Sequence, residues 1–276
     1  MASMPALSPL LSRFDQLILD LDGCVWVGDE ATPGAVEAIE ALRSAGKRLA
    51  FVTNDPRRAG EDYVAKLWGL GVQASLSDVV TVGGAMQHLL AETRRGRTAF
   101  VIGTEAMFGH VSAAGLQILN GTDLATRAEV VIVAGTDRLV YDDLRDAVLA
   151  LGHGADFLAT SRDPTYPMPN GLWPGTGAIL AAVEYGSGRS AAIVGKPEPQ
   201  LFLTALERLG EGRTLVVGDR LDADIAAAGR AHLEAALVLT GGTSAEEARA
   251  AREDGKPGDA RPIVVAESLA ALVAVG

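Results

Sequence analysis

The sequence predicts an α/β protein, a parallel sheet with helices on both faces into which a second, smaller α/β module is inserted. Three observations carry that reading. Short runs rich in Val, Ile and Leu alternate with stretches of helical periodicity along the 276 residues, as they do where strands are buried on both faces by crossover helices. Polar clusters directly follow particular runs, at the strand ends where an open parallel sheet places its ligands. Four of these clusters stand out, and they divide. DLDG at 20–23 and TND at 53–55 come early, GKPEP at 195–199 and GDRLDAD at 218–224 come late, and a long α/β stretch separates the pairs. Glycine-bearing segments around Gly83 (VGGA) and Gly188 (YGSGR) are where a chain can pass between domains. The expected division is a principal domain of residues 1–82 and 189–276 and an inserted domain of residues 83–188.

Taken in order, apolar runs place strands at 16–20 (QLILD), 48–53 (RLAFVT), 99–102 (AFVI), 130–134 (VVIVA), 157–160 (FLAT), 192–194 (AIV), 214–217 (TLVV), 236–239 (ALVL) and 263–265 (IVV). Each is short and bounded by polar or turn residues, as buried strands are. Helices at 33–45 and 197–209 begin on a proline and stop at Gly46 and Gly210, the ordinary signals for the two ends. Helical periodicity places three more at 86–94, 141–151 and 244–253. GEGR at 210–213 and EDGKPGDAR at 253–261 read as surface turns.

Composition narrows the function. Apolar residues make up 48% and charged residues 21%, which supports a folded core and excludes a disordered chain. No apolar run approaches the roughly 20 residues that cross a bilayer, and the opening MASMPALSPLLSRFDQ has neither the basic start nor the long apolar stretch of a secretory signal. A cytoplasmic protein is expected. The single Cys24 agrees, since one thiol makes no internal disulfide and reads as a small buried hydrophobe. A net charge of −11 argues against nucleic-acid binding. The densest basic cluster, Arg94, Arg95 and Arg97, reads as a solvated helix end. An acidic protein that handles phosphate has to offset its own field locally, with a divalent cation and a well-placed lysine.

The four clusters supply such chemistry. Asp20 ends an apolar strand, and Asp22 follows before Gly23 lets the backbone turn. At that spacing one carboxylate can attack a phosphorus atom while the other moves the leaving group's proton. Turn capping is the competing account of the pair. An EF-hand is not, because the glycine falls at the fourth place of the motif and Ala31 stands where the ligating Glu is required. Thr53 and Asn54 offer a hydroxyl, an amide and backbone N–H groups for phosphate oxygens, or an ordinary helix start before Asp55-Pro56. Lys196 could be a fixed positive point for a transferring phosphoryl group, or an exposed lysine at a helix start. A nucleotide P-loop is excluded by the spacing from Gly188 to Gly195 and by Pro197 after the lysine. Asp219 and Asp224 provide the hard oxygen ligands that magnesium prefers, one directly and one in support, unless they only cap a helix. Convergence decides, because four strand tips each offer a group that phosphoryl transfer needs.

In this order DLDG, TND, GKP and GDRLDAD resemble the four motifs of the haloacid dehalogenase-like phosphatases. More narrowly they are similar to the branch of NagD-type sugar and nucleotide phosphatases, phosphoglycolate and glycerol-phosphate phosphatases and 4-nitrophenyl phosphatases. The resemblance implies a Rossmann-like core with an inserted α/β cap of the C2 type. It implies Asp20 as nucleophile, Asp22 as general acid/base, and Gly23, Thr53, Asn54 and Lys196 around the phosphate. It further implies Mg²⁺ held by the Asp20 carboxylate, the Asp22 backbone carbonyl and Asp219, with Asp224 in support. The segment SRDPTYPMPNGLWPGTGA at 161–178 resembles the family's substrate-facing cap segment, so Tyr166, Met168 and Trp173 are expected to shape the pocket. A small phosphorylated metabolite is the implied substrate, and a homodimer the implied assembly.

Two positions depart from the pattern. Asp55-Pro56 replaces the branch's Asn followed by Ser or Thr, so Asp55 either caps the next helix or biases the site toward a cationic or hydroxyl-rich substrate. Cys24 replaces an aliphatic residue that should point into the core. Two rival functions stay open: a phosphotransferase or mutase that passes the aspartyl-phosphate to another hydroxyl, and a catalytically silent binding protein. A nicotinamide enzyme is poorly supported, since no strand runs into G-x-G-x-x-G.

Overall fold

The computed structural model describes residues 7–93, 96–168, 170–253 and 261–273. Arg94, Arg95 and most of the turn expected at 253–261 lie outside the described residues. The strand Gln16–Asp20 sits inside a six-stranded parallel sheet, in the order Val264–Ala266, Glu234–Val238, Thr214–Gly218, Gln16–Asp20, Arg48–Thr53 and Val79–Thr81. Alternation along these strands divides the core between the two faces. Leu17, Leu19, Phe51, Leu215 and Val217 pack in one cluster, while Ile18, Ala50, Val52 and Val216 pack in another.

A second parallel sheet, of five strands, runs Ala192–Ile193, Asp156–Ala159, Val130–Val133, Thr98–Ile102 and Gln117–Ile118. Val101, Val130 and Ile132 of this sheet belong to the same apolar cluster as Ile18 of the first. The helix Val82–Thr93 contributes buried Val82, Met86 and Leu90 to it, one residue per turn of a single stripe. The edge strand Ala192–Ile193 carries the second sheet past the limit expected at Gly188. Two antiparallel hairpins complete the framework: Trp26–Val27 with Glu30–Ala31, and Thr165–Met168 with Gly171–Pro174.

All nine expected strands are present within two residues at either end. The strand Val79–Thr81 was not legible, because it is three residues long and passes directly into the next helix with no turn residue between them. That helix begins at Val82, earlier than the expected 86, and takes in Gly83. The ring of His110 approaches Gly83 so closely that a Cβ there would lie 2.5 Å from it, which accounts for glycine inside a helix. The helices Gly60–Gly69, Glu105–Ala113 and Thr176–Ser187 had not been placed. Each carries glycine at an end or inside, a residue that reads as a break. Expected residues 197–199 form a turn, with the Glu198 N–H donating to the Gly195 carbonyl, and the helix starts at Gln200. Cys24 is fully buried and unpaired, as its core reading requires. Among the described residues no helix is long and apolar enough to cross a membrane.

Candidate active site

The four motif tips meet at the carboxyl edge of the first sheet. Gln16–Asp20 ends with Asp20, Arg48–Thr53 with Thr53, and Thr214–Gly218 leads directly into Asp219. Asp224 returns to the same point because the chain makes a wide π-helical turn at Leu221–Ile225, with the Ile225 N–H donating to the Arg220 carbonyl at 3.1 Å. Gly23 lets the first tip fold against the last. Its φ is +87° and a Cβ there would stand 2.5 Å from an Asp219 carboxylate oxygen, so any side chain would obstruct this contact.

Asp20, Lys196, Asp219 and Asp224 are almost wholly buried. Lys196 Nζ donates to Asp20 Oδ1 at 2.5 Å and to Asp224 Oδ1 at 2.6 Å. Burial opposes its charge, but the two carboxylates hold the ammonium protonated, above the ordinary lysine range. Asp219 accepts from the Gly242 backbone N–H, and Asp224 Oδ2 accepts from the Arg220 backbone N–H at 3.1 Å. Three buried carboxylates around one ammonium leave a formal excess of two negative charges. Burial first, and the Asp224 charge second, push Asp219 up to about 7, and burial drives Asp20 well above the usual carboxylate range. Carboxylate oxygens of Asp20, Asp219 and Asp224 all lie within 4.8 Å of one another, a set of hard donors of the charge and type that suit a divalent cation.

Asp22 stands apart from that cluster. Its Oδ1 accepts from Trp26 Nε1 at 2.9 Å and its Oδ2 from the Thr53 hydroxyl at 3.2 Å. Burial, and after it the charge of Asp55, raise this carboxyl above its usual range despite the indole bond. A carboxyl held in this way is suited to donate a proton and later to take one. The Asn54 amide serves a different purpose from the expected phosphate contact. Its Oδ1 accepts from the Lys196 backbone N–H at 2.8 Å, and its Nδ2 donates to the Lys196 carbonyl at 3.0 Å and to Asp163 Oδ2 at 3.1 Å. It ties together three segments, one before the inserted stretch, one inside it and one after it.

These groups line one cleft with Arg57, Gly135, Thr136, Ser161, Tyr166 and Asp163. Tyr166 forms part of the wall, and Leu172 and Pro174 join it from the second hairpin strand. Trp173 is absent from the lining and packs edge-on against Tyr166 at 6.3 Å. Met168, near the hairpin turn where it pairs with Gly171, is also absent from the lining. Asp55 does not cap the next helix. That helix starts at Gly60, and Asp62 accepts from the Ala59 N–H before it. Instead Asp55 is gripped by Arg57, whose Nε and Nη2 donate at 2.7 and 2.8 Å. The sequence reading missed Arg57, Asp163, Arg220 and Trp26. Asp163 lies in the segment already singled out, but an acid and a base two residues apart in a loop, or an indole four residues after Asp22, gives no sequence signal of pairing.

The chain belongs to the haloacid dehalogenase-like hydrolases. A family profile of that description matches residues 84–232, another of the same description matches 17–117, and a third, of HAD-like hydrolases, matches 193–272. It is 38% identical to the D-glycerol 3-phosphate phosphatase of Mycobacterium tuberculosis over 87% of this chain and 67% of that protein. It is 36% identical to human chronophin over 97% of this chain and 95% of the relative. A crystal structure of the M. tuberculosis glycerol phosphate phosphatase in complex with magnesium superposes with a TM-score of 0.83, at 37% identity, covering 95% of this chain and 77% of the other.

Proposed function

We propose that the protein is a Mg²⁺-dependent phosphomonoester hydrolase of small phosphorylated metabolites (sugar phosphate, glycerol phosphate, phosphoglycolate or nucleotide) that works through an aspartyl-phosphate on Asp20. One observation carries the reading: three buried carboxylates converge at a sheet edge, two of them bonded to Lys196, with a separate raised carboxyl, Asp22, beside them. Asp20, Asp219 and the Asp22 backbone carbonyl would hold Mg²⁺, with Asp224 in support, and the ion supplies charge neutralisation of the phosphate when bound.

Asp20 attacks phosphorus in line, and the bond to the ester oxygen breaks. Asp22 gives its proton to the departing alkoxide, then removes one from a water that attacks the aspartyl-phosphate and regenerates Asp20. Lys196 holds a fixed positive charge against the developing negative charge. Thr53 orients Asp22 and Gly23 admits the close approach of the turn. The division into a core of residues 1–82 and 189–276 and a cap of 83–188 belongs to the same proposal. The two separate sheets support it, with the return crossing shifted a few residues beyond Ile193. Cytoplasmic location is supported by one buried, unpaired thiol; a homodimer rests on the resemblance alone.

The test is phosphate release from a panel of small phosphomonoesters, with and without Mg²⁺, by wild type and Asp20→Asn. Metal-dependent release that vanishes in the variant is expected. No release from any ester, or full activity in the variant, removes the reading.

A further inference from the structure

Among the described residues three cations line the cleft, Arg57, Lys196 and Arg220, and each is already committed to carboxylates. Lys196 bonds Asp20 and Asp224. Arg220 donates from Nε and Nη2 to Asp222 at 3.1 and 2.9 Å. Arg57 forks onto Asp55, and its guanidinium carbon lies 4.0 Å from the centre of the Tyr166 ring. Six carboxylates share the lining, those of Asp20, Asp22, Asp55, Asp163, Asp219 and Asp224. Against three cations they leave a formal excess of three negative charges.

A transferring phosphate dianion can draw on a divalent cation and Lys196. Among the described residues nothing comparable remains for a second anionic group. That group would stand among surplus carboxylates, or would draw Arg57 away from Asp55, whose side chain is only 12% exposed and would be left without its counter-charge. Hydroxyls meet the opposite environment. Thr136, Ser161, Thr165 and Thr176 line the cleft, and of the five N–H donors of the Arg57 guanidinium Asp55 takes two.

We propose that the Asp55–Arg57 pair sets the substrate class, making the wall beside the leaving group neutral and hydrogen-bonding, so that phosphate esters of uncharged polyols are selected over esters whose leaving group carries a carboxylate or a second phosphate. This rests on the phosphatase reading. It also revises the role expected for Asp55: the carboxylate recruits no cationic substrate, because Arg57 already neutralises it.

The experiment compares kcat/KM for glycerol 3-phosphate and for 2-phosphoglycolate, using the full-length Mg²⁺-loaded protein, in wild type and Asp55→Asn. Asparagine keeps an oxygen for the Arg57 backbone N–H that Asp55 Oδ1 accepts at 3.0 Å, while it removes the charge and replaces the oxygen that accepts from Arg57 Nη2 with a donor, so the fork onto the guanidinium is lost. Wild type is expected to favour the polyol ester by about tenfold or more, and the ratio to fall by about tenfold in Asp55→Asn as the guanidinium is freed. Arg57→Gln, which leaves the Asp55 charge unpaired, is expected to move the ratio the other way. The same ranking should appear without turnover, as calorimetric affinities of the two esters for Mg²⁺-loaded Asp20→Asn. A wild-type preference for the carboxylate ester, or equal ratios in wild type and both variants with unchanged circular dichroism, overturns the inference. Release with the wrong ranking removes this inference alone, whereas no release from any ester removes the phosphatase reading as well.

Discussion

The sheet around Gln16–Asp20 and the sheet around Val130–Val133 both turn their carboxyl edges toward the same cleft. From the first come Asp20, Thr53 and Asp219, directly at or after their strands. From the second come Gly135, Thr136 and Ser161, just past Val130–Val133 and Asp156–Ala159. The architecture is the same on both sides, yet one edge carries the almost wholly buried charges and the other backbone and hydroxyl groups, with the half-buried Asp163 beyond them. On the proposed mechanism the chemistry lies in the side chains at the strand ends rather than in the sheet, and the second edge would recognise a substrate it has no means to cleave.

The largest effect expected from this comparison is at Asp20. Asp20→Asn removes the proposed nucleophile while keeping its shape, and turnover should fall on the order of 10⁴-fold or more. Phosphate release measured beside an unchanged circular dichroism spectrum checks it; retention of more than a few per cent of activity would place the chemistry elsewhere. Asp22→Asn should come next, losing about 10² to 10⁴-fold in kcat because proton transfer to the leaving group is lost. If an ester with a leaving group of low pKa suffers as much as a poor one, Asp22 is not the acid.

Metal and pH sharpen the same contrast. Without a cation, Asp219 is pushed up to about 7 from 3.8. Between those values the folded protein keeps a proton that the unfolded chain has lost, so the metal-free protein loses stability as pH rises through this window. Below about 7 Mg²⁺ must displace that proton; above it the carboxylate is already free. The rise in Tm produced by Mg²⁺ should therefore be about 4 °C or more larger at pH 8 than at pH 5.5. Differential scanning calorimetry at both pH values reads it, and an equal shift would show that Asp219 does not hold the ion.

The charged edge was largely legible in the sequence, and the neutral one was not. Asp20, Asp219 and Lys196 each end or closely follow an apolar run, with a glycine next to Asp219 and Lys196 and three residues after Asp20, so residue type and position coincide. The strands that carry Asp20 and Asp219 are five residues long, enough for apolar runs to stand out, whereas Val79–Thr81 and Gln117–Ile118 are too short. Pairings made by folding left no mark. Asn54 faces Lys196 from 142 positions away, and its amide was read as a phosphate contact because nothing local reveals that both ends are occupied. Asp55 is the converse case: its departure from the family pattern was visible, but its meaning depended on where Arg57 points.

The smallest expected effect is at the neutral edge. Thr136→Val keeps the shape of the side chain and removes a hydroxyl from the cleft wall, along with the bond that Thr136 Oγ1 accepts from the Arg138 N–H at 3.2 Å. One hydrogen bond to a neutral group corresponds to roughly a fivefold change in KM. If the second edge only recognises, kcat should move far less than KM under this substitution, and the loss should be greater for a polyol ester than for 4-nitrophenyl phosphate, whose leaving group has no hydroxyl to place. A fall in kcat comparable to that of Asp22→Asn would mean that the second edge takes part in the chemistry and that the contrast between the two edges is wrong.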